Sequence, residues 1–470
     1  MLRIKENQCV VISGESGSGK TESTNFLLHH LTTLSGGLKS SSGCSTIEQT
    51  LLSAGPVLEA FGNAVTVQNN NSSRFGKFIK VNYRENGMVS GANVEIYLLE
   101  KSRIISQAVG ERNYHVFYYL LEGASDIERN QHFLLQPRDY YYLNQNNFFA
   151  CESMNEKYEY ERLKHSMEAV GFSASSQQKI FGMISAVLLL GNISFIKRPG
   201  YHSDENAYVE NEELIGIVSQ LLNIKTQQLH QALTVRKTVL KHDTVVSRYH
   251  VAEAVNTRDA MAKCLYDALF HWIVLRINQQ LIRKETAMGN SKRVTTLEYW
   301  IFWFEDVGAQ WNSFEQLCIN YANEHLQAYF NQHIFQFEQE EYIKEGIAWT
   351  NIEYTDNTEC VQLFQNKPYG ILRLIDEESN INNGTDRSML DKLNTFLKSN
   401  EYYEIPHKKE DAFIIAHYAG KVKYQITGFR DKNKDLMRQD VMGVLKSSKS
   451  SFVRELVGDP IAVYRWTLIR

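Results

Sequence analysis

Proline is scarce in this 470-residue chain, with six residues, and cysteine is equally rare at six. The 27 glycines follow no regular repeat, so collagen-like and low-complexity classes are excluded. The cysteines (Cys9, Cys44, Cys151, Cys264, Cys318, Cys360) are scattered, and none forms a CxxC pair. Neither a zinc cluster nor a disulfide framework is indicated, and a reduced cytosolic compartment is expected. Long apolar runs are missing as well. Ala186–Leu190 stops at Gly191-Asn192, far short of the ~20 residues of a membrane-spanning helix. The start, Met1-Leu-Arg-Ile-Lys-Glu6, is too polar for a signal peptide. Charge of one sign is absent too: 50 Lys+Arg against 54 Asp+Glu leaves −4, without the basic excess of a nucleic-acid binder.

What remains is ordinary globular composition, 43% apolar and 22% charged. At ~100–200 residues per domain the length suggests about two to four folding units. Cys9–Ile12 has the β-branched pattern of a short buried strand. A glycine-rich stretch follows, then a helical pattern over Lys20–Leu34. Ser35–Ser45 reads as a surface loop, and Ile47–Phe61 as a helix that Pro56 kinks or breaks. Phe78–Tyr83 and Ala92–Leu98 read as paired strands turning at Glu85-Asn-Gly87. From about 110 to 290 the pattern is mostly helical, with Arg198–Glu213 as a polar, exposed insert. Thr295–Phe304 is strand-like. Ser313–Tyr342 is the longest uninterrupted helical pattern, and Phe413–Ala416 with Val422–Tyr424 forms a last strand pair.

Gly14-Glu15-Ser16-Gly17-Ser18-Gly19-Lys20-Thr21 matches G-x-x-x-x-G-K-[ST] between a strand and a helix. The glycines let successive backbone N–H groups curve around phosphate oxygens. The following helix points its positive end at the same anion. Lys20 can reach the β- and γ-phosphates of a nucleotide, and the Thr21 hydroxyl can ligate Mg²⁺.

The residues that follow resemble those of myosin motors. Asn69-Asn-Asn-Ser72-Ser73-Arg74-Phe75-Gly76-Lys77-Phe78 is similar to their switch I. Leu58-Glu-Ala-Phe-Gly-Asn63-Ala64, Leu98-Leu-Glu-Lys-Ser-Arg103 and Gly110-Glu-Arg-Asn-Tyr-His115 resemble myosin as well. So do Asn312-Ser-Phe-Glu-Gln316, Glu338-Gln-Glu-Glu-Tyr342 and His417-Tyr-Ala-Gly-Lys421-Val, in myosin order over nearly the whole chain. Ala54-Gly-Pro56, the stretch ending Tyr-Leu-Asn-Gln145 and Asp459–Trp466 look most like class IX, the Rho-GAP-bearing myosins.

The resemblance implies an α/β fold of the P-loop NTPase type. A mixed central sheet would be flanked by helices, with large, mainly helical upper and lower subdomains facing actin. The implied divisions are 1–110 for the phosphate loop and switch I, 111–294 for the upper subdomain, 295–342 for switch II and the relay helix, and 343–470 for the lower subdomain. It implies ATP and Mg²⁺ as ligands, and the actin filament as partner. Ser73 would join Thr21 on the metal. Ser72 and Asn69 would hydrogen-bond the γ-phosphate or the attacking water, and Arg74 would pair with Glu305. Small polar donors suit phosphoryl transfer, which is mainly positioning and charge stabilisation. The expected catalytic set is therefore Lys20, Ser72, Ser73, Arg74 and Glu305. The resemblance also implies segments outside these residues: an adenine-contacting segment before them, and beyond Arg470 the converter and the neck, with light chains and cargo. The chain by itself is not expected to swing a lever arm.

Switch II departs from the family. Myosins read Asp-Ile-Phe-Gly-Phe-Glu, and here the segment is Trp300-Ile-Phe-Trp303-Phe-Glu305. Indole carries one N–H donor and no carboxylate, so neither tryptophan replaces the lost group. Glu298 lies two residues away, about 6.6 Å along a strand, and is a poor substitute. Two readings stand: divergence to a weak or dead ATPase that still binds nucleotide, or a misjoined exon.

Phe429–Arg454 is the expected actin-contacting region. It holds Arg430, Lys432, Lys434, Arg438, Lys446, Lys449 and Arg454 against three aspartates, which is +4 and leaves −8 elsewhere. A local basic face on an acidic chain suits an acidic partner. Lys237–Arg248 is a second candidate loop.

Overall fold

The computed structural model describes residues 8–12, 18–35, 47–83, 89–151, 154–197, 206–239, 244–286, 297–303, 312–350, 352–381, 384–408, 410–433 and 437–458. They fall into two compact units. The first holds the described residues from Gln8 to Trp303 and from Met437 to Gly458, and the second those from Asn312 to Asn433.

Among the described residues the first unit is built on a four-stranded mixed sheet, and a mixed sheet is what the resemblance implies. In chain order its first elements are β1 (Gln8–Ile12), α1 (Lys20–Ser35), α2 (Ile47–Gly62), β2 (Asn63–Ala64), β3 (Ser72–Ser73), β4 (Gly76–Tyr83) and β5 (Val89–Tyr97). Seven helices follow: α3 (His115–Gly123), α4 (Asp126–His132), α5 (Glu156–Ala169), α6 (Ala174–Gly191), α7 (Glu212–Leu222), α8 (Thr226–Thr234) and α9 (Val251–Thr286). Strand β10 (Leu297–Trp303) then returns to the sheet, whose order is β1-β10-β4-β5. β10 runs parallel to β1 and antiparallel to β4, with Ile12 opposite Trp303. The loops that leave β1 and β10 therefore start from the same edge of the sheet, where α/β folds bind their ligands.

Helix α2 runs unbroken through Pro56. Leu51, Ala54, Val57, Leu58 and Phe61 are buried along one stripe. Their packing outweighs the one backbone bond that proline removes. Helix α6 is buried from Ile180 to Gly191, which is why its run looks apolar all round. The longest helix is α9, with 36 residues, not the segment after residue 313. Its Tyr266 stacks on Tyr114 at 5.0 Å and donates to the Phe61 carbonyl at 2.7 Å, tying α9 to α2.

The predicted insert at 198–213 is shorter than expected. β7 (Ala207–Val209) pairs with β6 (Phe195–Lys197), Ala207 and Val209 are buried, and α7 starts at Glu212. A second hairpin, β8 (Val235–Val239) with β9 (Thr244–Arg248), occupies the second candidate actin loop.

In the second unit the predicted long helix is divided. It comprises α10 (Phe314–Asn331), a π-helical stretch Gln332–Phe337 and α11 (Glu338–Lys344). A π-turn holds one more residue than an α-turn, so the apolar rhythm shifts there. Phe335 stacks on Tyr354 at 4.9 Å. Helices α12 (Thr358–Gln365), α13 (Ile371–Ser379) and α14 (Asp386–Leu397) follow, then the sheet β11 (Tyr403–Glu404), β12 (Ala412–His417) and β13 (Gly420–Gln425), and α15 (Phe429–Asn433). Gly420, at φ +136°, makes the tight turn into β13. Under it, Glu324 accepts from Asn357 Nδ2 at 2.7 Å and lies 2.9 Å from His417 Nδ1, a buried network joining α10 to β12. Helices α16 (Gln439–Lys446) and α17 (Ser451–Gly458) belong to the first unit. Among the described residues no helix is long and apolar enough to cross a membrane.

Candidate functional site

The start of α1 has the form a phosphate loop needs. Gly19 takes φ +89°, a backbone state that glycine adopts without strain, and its carbonyl accepts the first helical bond from Ser23 N at 2.9 Å. Lys20, the first helical residue, is only 6% exposed, and Thr21 beside it is half-buried. An ammonium at the positive end of a helix reverses the usual arrangement and suits an anion with several oxygens. Ser18 and Gly19 are exposed. Gly14, Glu15, Ser16 and Gly17 lie outside the described residues.

The residues that resemble switch I lie on a short strand and in the turn before it. β3 is Ser72-Ser73, paired antiparallel with Asn63-Ala64 directly after α2. Ser72 is 1% exposed and Ser73 8%. Before them, Asn69 closes a tight turn: its carbonyl accepts from Thr66 N at 2.9 Å, and its N–H donates to Thr66 Oγ1 at 3.2 Å. Burial raises the pKa of the Glu59 carboxyl, Lys77 and Arg162 oppose that, and Glu22 in the first turn of α1 adds to it.

Arg74 is fixed from several directions. Its N–H donates to Gly62 O at 2.8 Å, its carbonyl accepts from Glu100 N at 3.0 Å, and its Nη1 donates to Ser72 Oγ at 3.1 Å. Its Nε meets Glu100 Oε2 at 2.6 Å. Glu100 also receives Arg103 Nε at 2.8 Å, and Arg103 pairs with Glu111 at 2.7 Å and donates to Arg112 O at 2.9 Å. Burial would raise the Glu100 pKa, but Arg103 and Arg74 outweigh it and hold the carboxyl at about 2. Glu305, the implied partner of Arg74, lies outside the described residues. The residues missed as functional are Glu100, Arg103 and Glu111. They sit in the two motifs that resemble myosin on either side of residue 105, yet no spacing rule assigns charges 26 residues apart to one another.

Trp300 and Trp303 occupy β10, in the middle of the sheet. Trp300 lies opposite Cys9 on β1 and Lys80 on β4, and Trp303 opposite Ile12 and Lys77. The tryptophan at the family's glycine position is therefore level with the last residue of β1, two residues before Gly14.

The donor set fits a magnesium nucleotide. Thr21 and Ser73 offer the hard oxygens that Mg²⁺ prefers, and Lys20 with the end of α1 offers cationic and dipolar partners for phosphate.

The cations of 429–454 are divided between the units. In the second unit Arg430 Nε donates to Glu378 O at 3.0 Å and its Nη2 to Ile381 O at 2.9 Å, while Lys432 Nζ binds Glu315 Oε2 at 2.7 Å. Arg430 also bonds Gly384 O, so it clamps the α13–α14 connection. In the first unit Arg438 pairs with Asp440 at 2.9 Å and lies over Tyr249. Lys446 and Lys449 are exposed, with no ion pair among the described residues. Lys434 lies outside the described residues.

Residues 1–464 match the family described as myosin head (motor domain). The chain is 51% identical over 489 residues to unconventional myosin-IXa from Homo sapiens, covering 100% of this chain and 19% of that protein. It is 52% identical over 471 residues to unconventional myosin-IXb from Rattus norvegicus, covering 100% of this chain and 23% of that protein. To the myosin-I heavy chain from Dictyostelium discoideum it is 44% identical over 460 residues, covering 98% of this chain and 19% of that protein. The chain spans about a fifth of the length of these relatives.

Proposed function

This chain belongs to the myosin head (motor domain) family, and from that premise we propose that it is the nucleotide-binding part of an actin-based motor driven by Mg-ATP. The observation that carries the reading is the latched switch: buried Ser72 and Ser73, held through Arg74 to Glu100, on the same unit as Gly19, Lys20 and Thr21.

In this reading Lys20 binds the terminal phosphates. Thr21 and Ser73 hold Mg²⁺, which when bound neutralises phosphate charge. Asn69 and Ser72 hold the γ-phosphate and the attacking water. Arg74 carries no reacting atom; it keeps the Ser72 hydroxyl oriented. Such preorganised donors lower a barrier because they do not have to reorganise during the reaction. Trp303, in place of a glycine, supplies a backbone N–H with less freedom, and Trp300 supplies no carboxylate. Turnover is therefore slow for the family. Lys446 and Lys449 are the best placed of the named cations to meet an acidic actin surface, since Arg430, Lys432 and Arg438 are already paired. The setting is the cytoplasm, along actin filaments.

The test is Mg-ATP binding by calorimetry together with actin cosedimentation. The chain binds Mg-ATP, Lys20→Ala abolishes binding, and ATP releases the chain from filaments. A chain that binds neither ligand contradicts the proposal.

A further inference from the structure

Three side chains of different chemistry meet in the interior of the second unit. Glu324 of α10, Cys360 of α12 and His417 of β12 are 0%, 1% and 7% exposed. A carboxylate oxygen, the thiol sulfur and a ring nitrogen, one from each, lie within 4.8 Å of one another. Glu324 Oε1 is 2.9 Å from His417 Nδ1. Zinc bonds of ~2.0–2.3 Å at tetrahedral angles set ligand atoms about 3.4–3.6 Å apart. An ion therefore fits between these atoms with side-chain shifts of about one ångström or less. No spacing in the sequence announces the cluster, because its members come from three separate elements.

The atoms that would face away from the ion are held already. Glu324 Oε2 accepts from Asn357 Nδ2 at 2.7 Å. His417 Nε2 is 2.6 Å from Tyr424 Oη, which in turn accepts from Asn320 Nδ2 at 2.6 Å. Partners of this kind on the far side of a carboxylate and an imidazole orient both as metal ligands. Ala416 O, 3.7 Å from Cys360 Sγ, stands at the spacing of a fourth ligand. The buried Phe364 ring, centred 5.9 Å from the His417 ring, adds an apolar wall.

Charge and ligand type select the ion. A thiolate and a carboxylate beside a neutral imidazole carry −2, which a divalent cation cancels, and a neutral cluster suits an interior away from water. Sulfur, nitrogen and oxygen together suit zinc, whereas magnesium and calcium take oxygen.

We propose that Glu324, Cys360 and His417 bind one zinc ion, which fastens α10 to α12 and β12. The site is structural, since every ligand is buried. Binding sends the Cys360 thiol proton to solvent and leaves the His417 proton on Nε2, facing Tyr424 Oη. The proposal is independent of the nucleotide site.

In the experiment the 470-residue chain is dialysed against buffered zinc and its zinc content is measured, along with the absorption of its cobalt-substituted form. One zinc per chain and a thiolate-to-cobalt charge-transfer band are expected. Cys360→Ser should abolish the band, and Asn357→Leu should weaken zinc binding about 10- to 100-fold. Cys264→Ser, in the first unit, should change neither. Unfolding curves show which variants fold, and the wild-type measurements need no variant. A folded wild-type chain with no zinc and no band overturns the inference. So does a band that persists in folded Cys360→Ser, or bound zinc whose cobalt form shows no thiolate band.

Discussion

Replacing Glu100 by Gln removes the charge at the centre of the Arg74–Glu100–Arg103 cluster and little of the volume. Glu100 and Arg103 side chains are 16% and 3% exposed, so solvent screens the cluster weakly. In the folded chain the arginines hold the Glu100 pKa at about 2 against an ordinary 4.5. That difference corresponds to about 3 kcal/mol in favour of the folded state at neutral pH. The depressed pKa sets the sign. The contribution is complete above pH 4.5, the ordinary value, and is lost as pH falls toward 2. Urea unfolding of wild type and Glu100→Gln should therefore differ by about 3 kcal/mol at pH 7, with the gap narrowing below pH 4.5. Glu95→Gln is the control. Its partner Lys80 is 3.2 Å away but both side chains are about a third exposed, and such pairs contribute about 1 kcal/mol or less. A Glu100→Gln cost below about 1 kcal/mol, or a gap that does not change between pH 5 and pH 3, refutes the reasoning.

Gly62→Ala should destabilise by about 1–3 kcal/mol, because a Cβ there would lie 2.2 Å from Phe75 Cε1; thermal unfolding measures it. Burial lowers the Lys77 pKa to about 8 while Glu59 opposes it, so the unfolded chain binds the extra proton between pH 8 and 10.5. Stability should climb with pH across that window in wild type, and Lys77→Met should lack the climb. Trp300→Asp/Trp303→Gly should raise actin-activated phosphate release on the order of 100-fold, since it restores a carboxylate and a mobile backbone donor. An unchanged rate would show that the tryptophans do not limit hydrolysis. Lys446→Glu/Lys449→Glu should weaken actin cosedimentation most at low salt, and equal weakening at all ionic strengths would contradict a charge-based contact.

Local chemistry was legible in the sequence and remote pairing was not. The strand, glycine loop and helix around Gly19 could be read from residue types alone, because a phosphate loop is built by consecutive residues. The β4–β5 and β12–β13 pairs were equally plain, being hairpins. That β10 inserts between β1 and β4 could not be read from spacing, because nearly 300 residues separate it from β1. The π-helical turn at Gln332–Phe337 broke a pattern that looked continuous, since spacings of three and four tolerate one added residue. Pro56 misled in the opposite direction, its local cost being met by buried neighbours on α2. Charge counting groups seven cations on one stretch, whereas side-chain geometry ties Arg430, Lys432 and Arg438 to carbonyls and carboxylates of their own units. The Glu100 latch was the largest omission. Its members were visible as motifs, and only the folded chain joins them.

Amide hydrogen exchange of the chain with and without Mg-ATPγS tests the shared nucleotide site most directly. Slower exchange at both Gly14–Thr21 and Asn69–Arg74, with Lys20→Ala removing both effects, is the expected result. Protection of neither segment, or of one without the other, would contradict a site built from the two together.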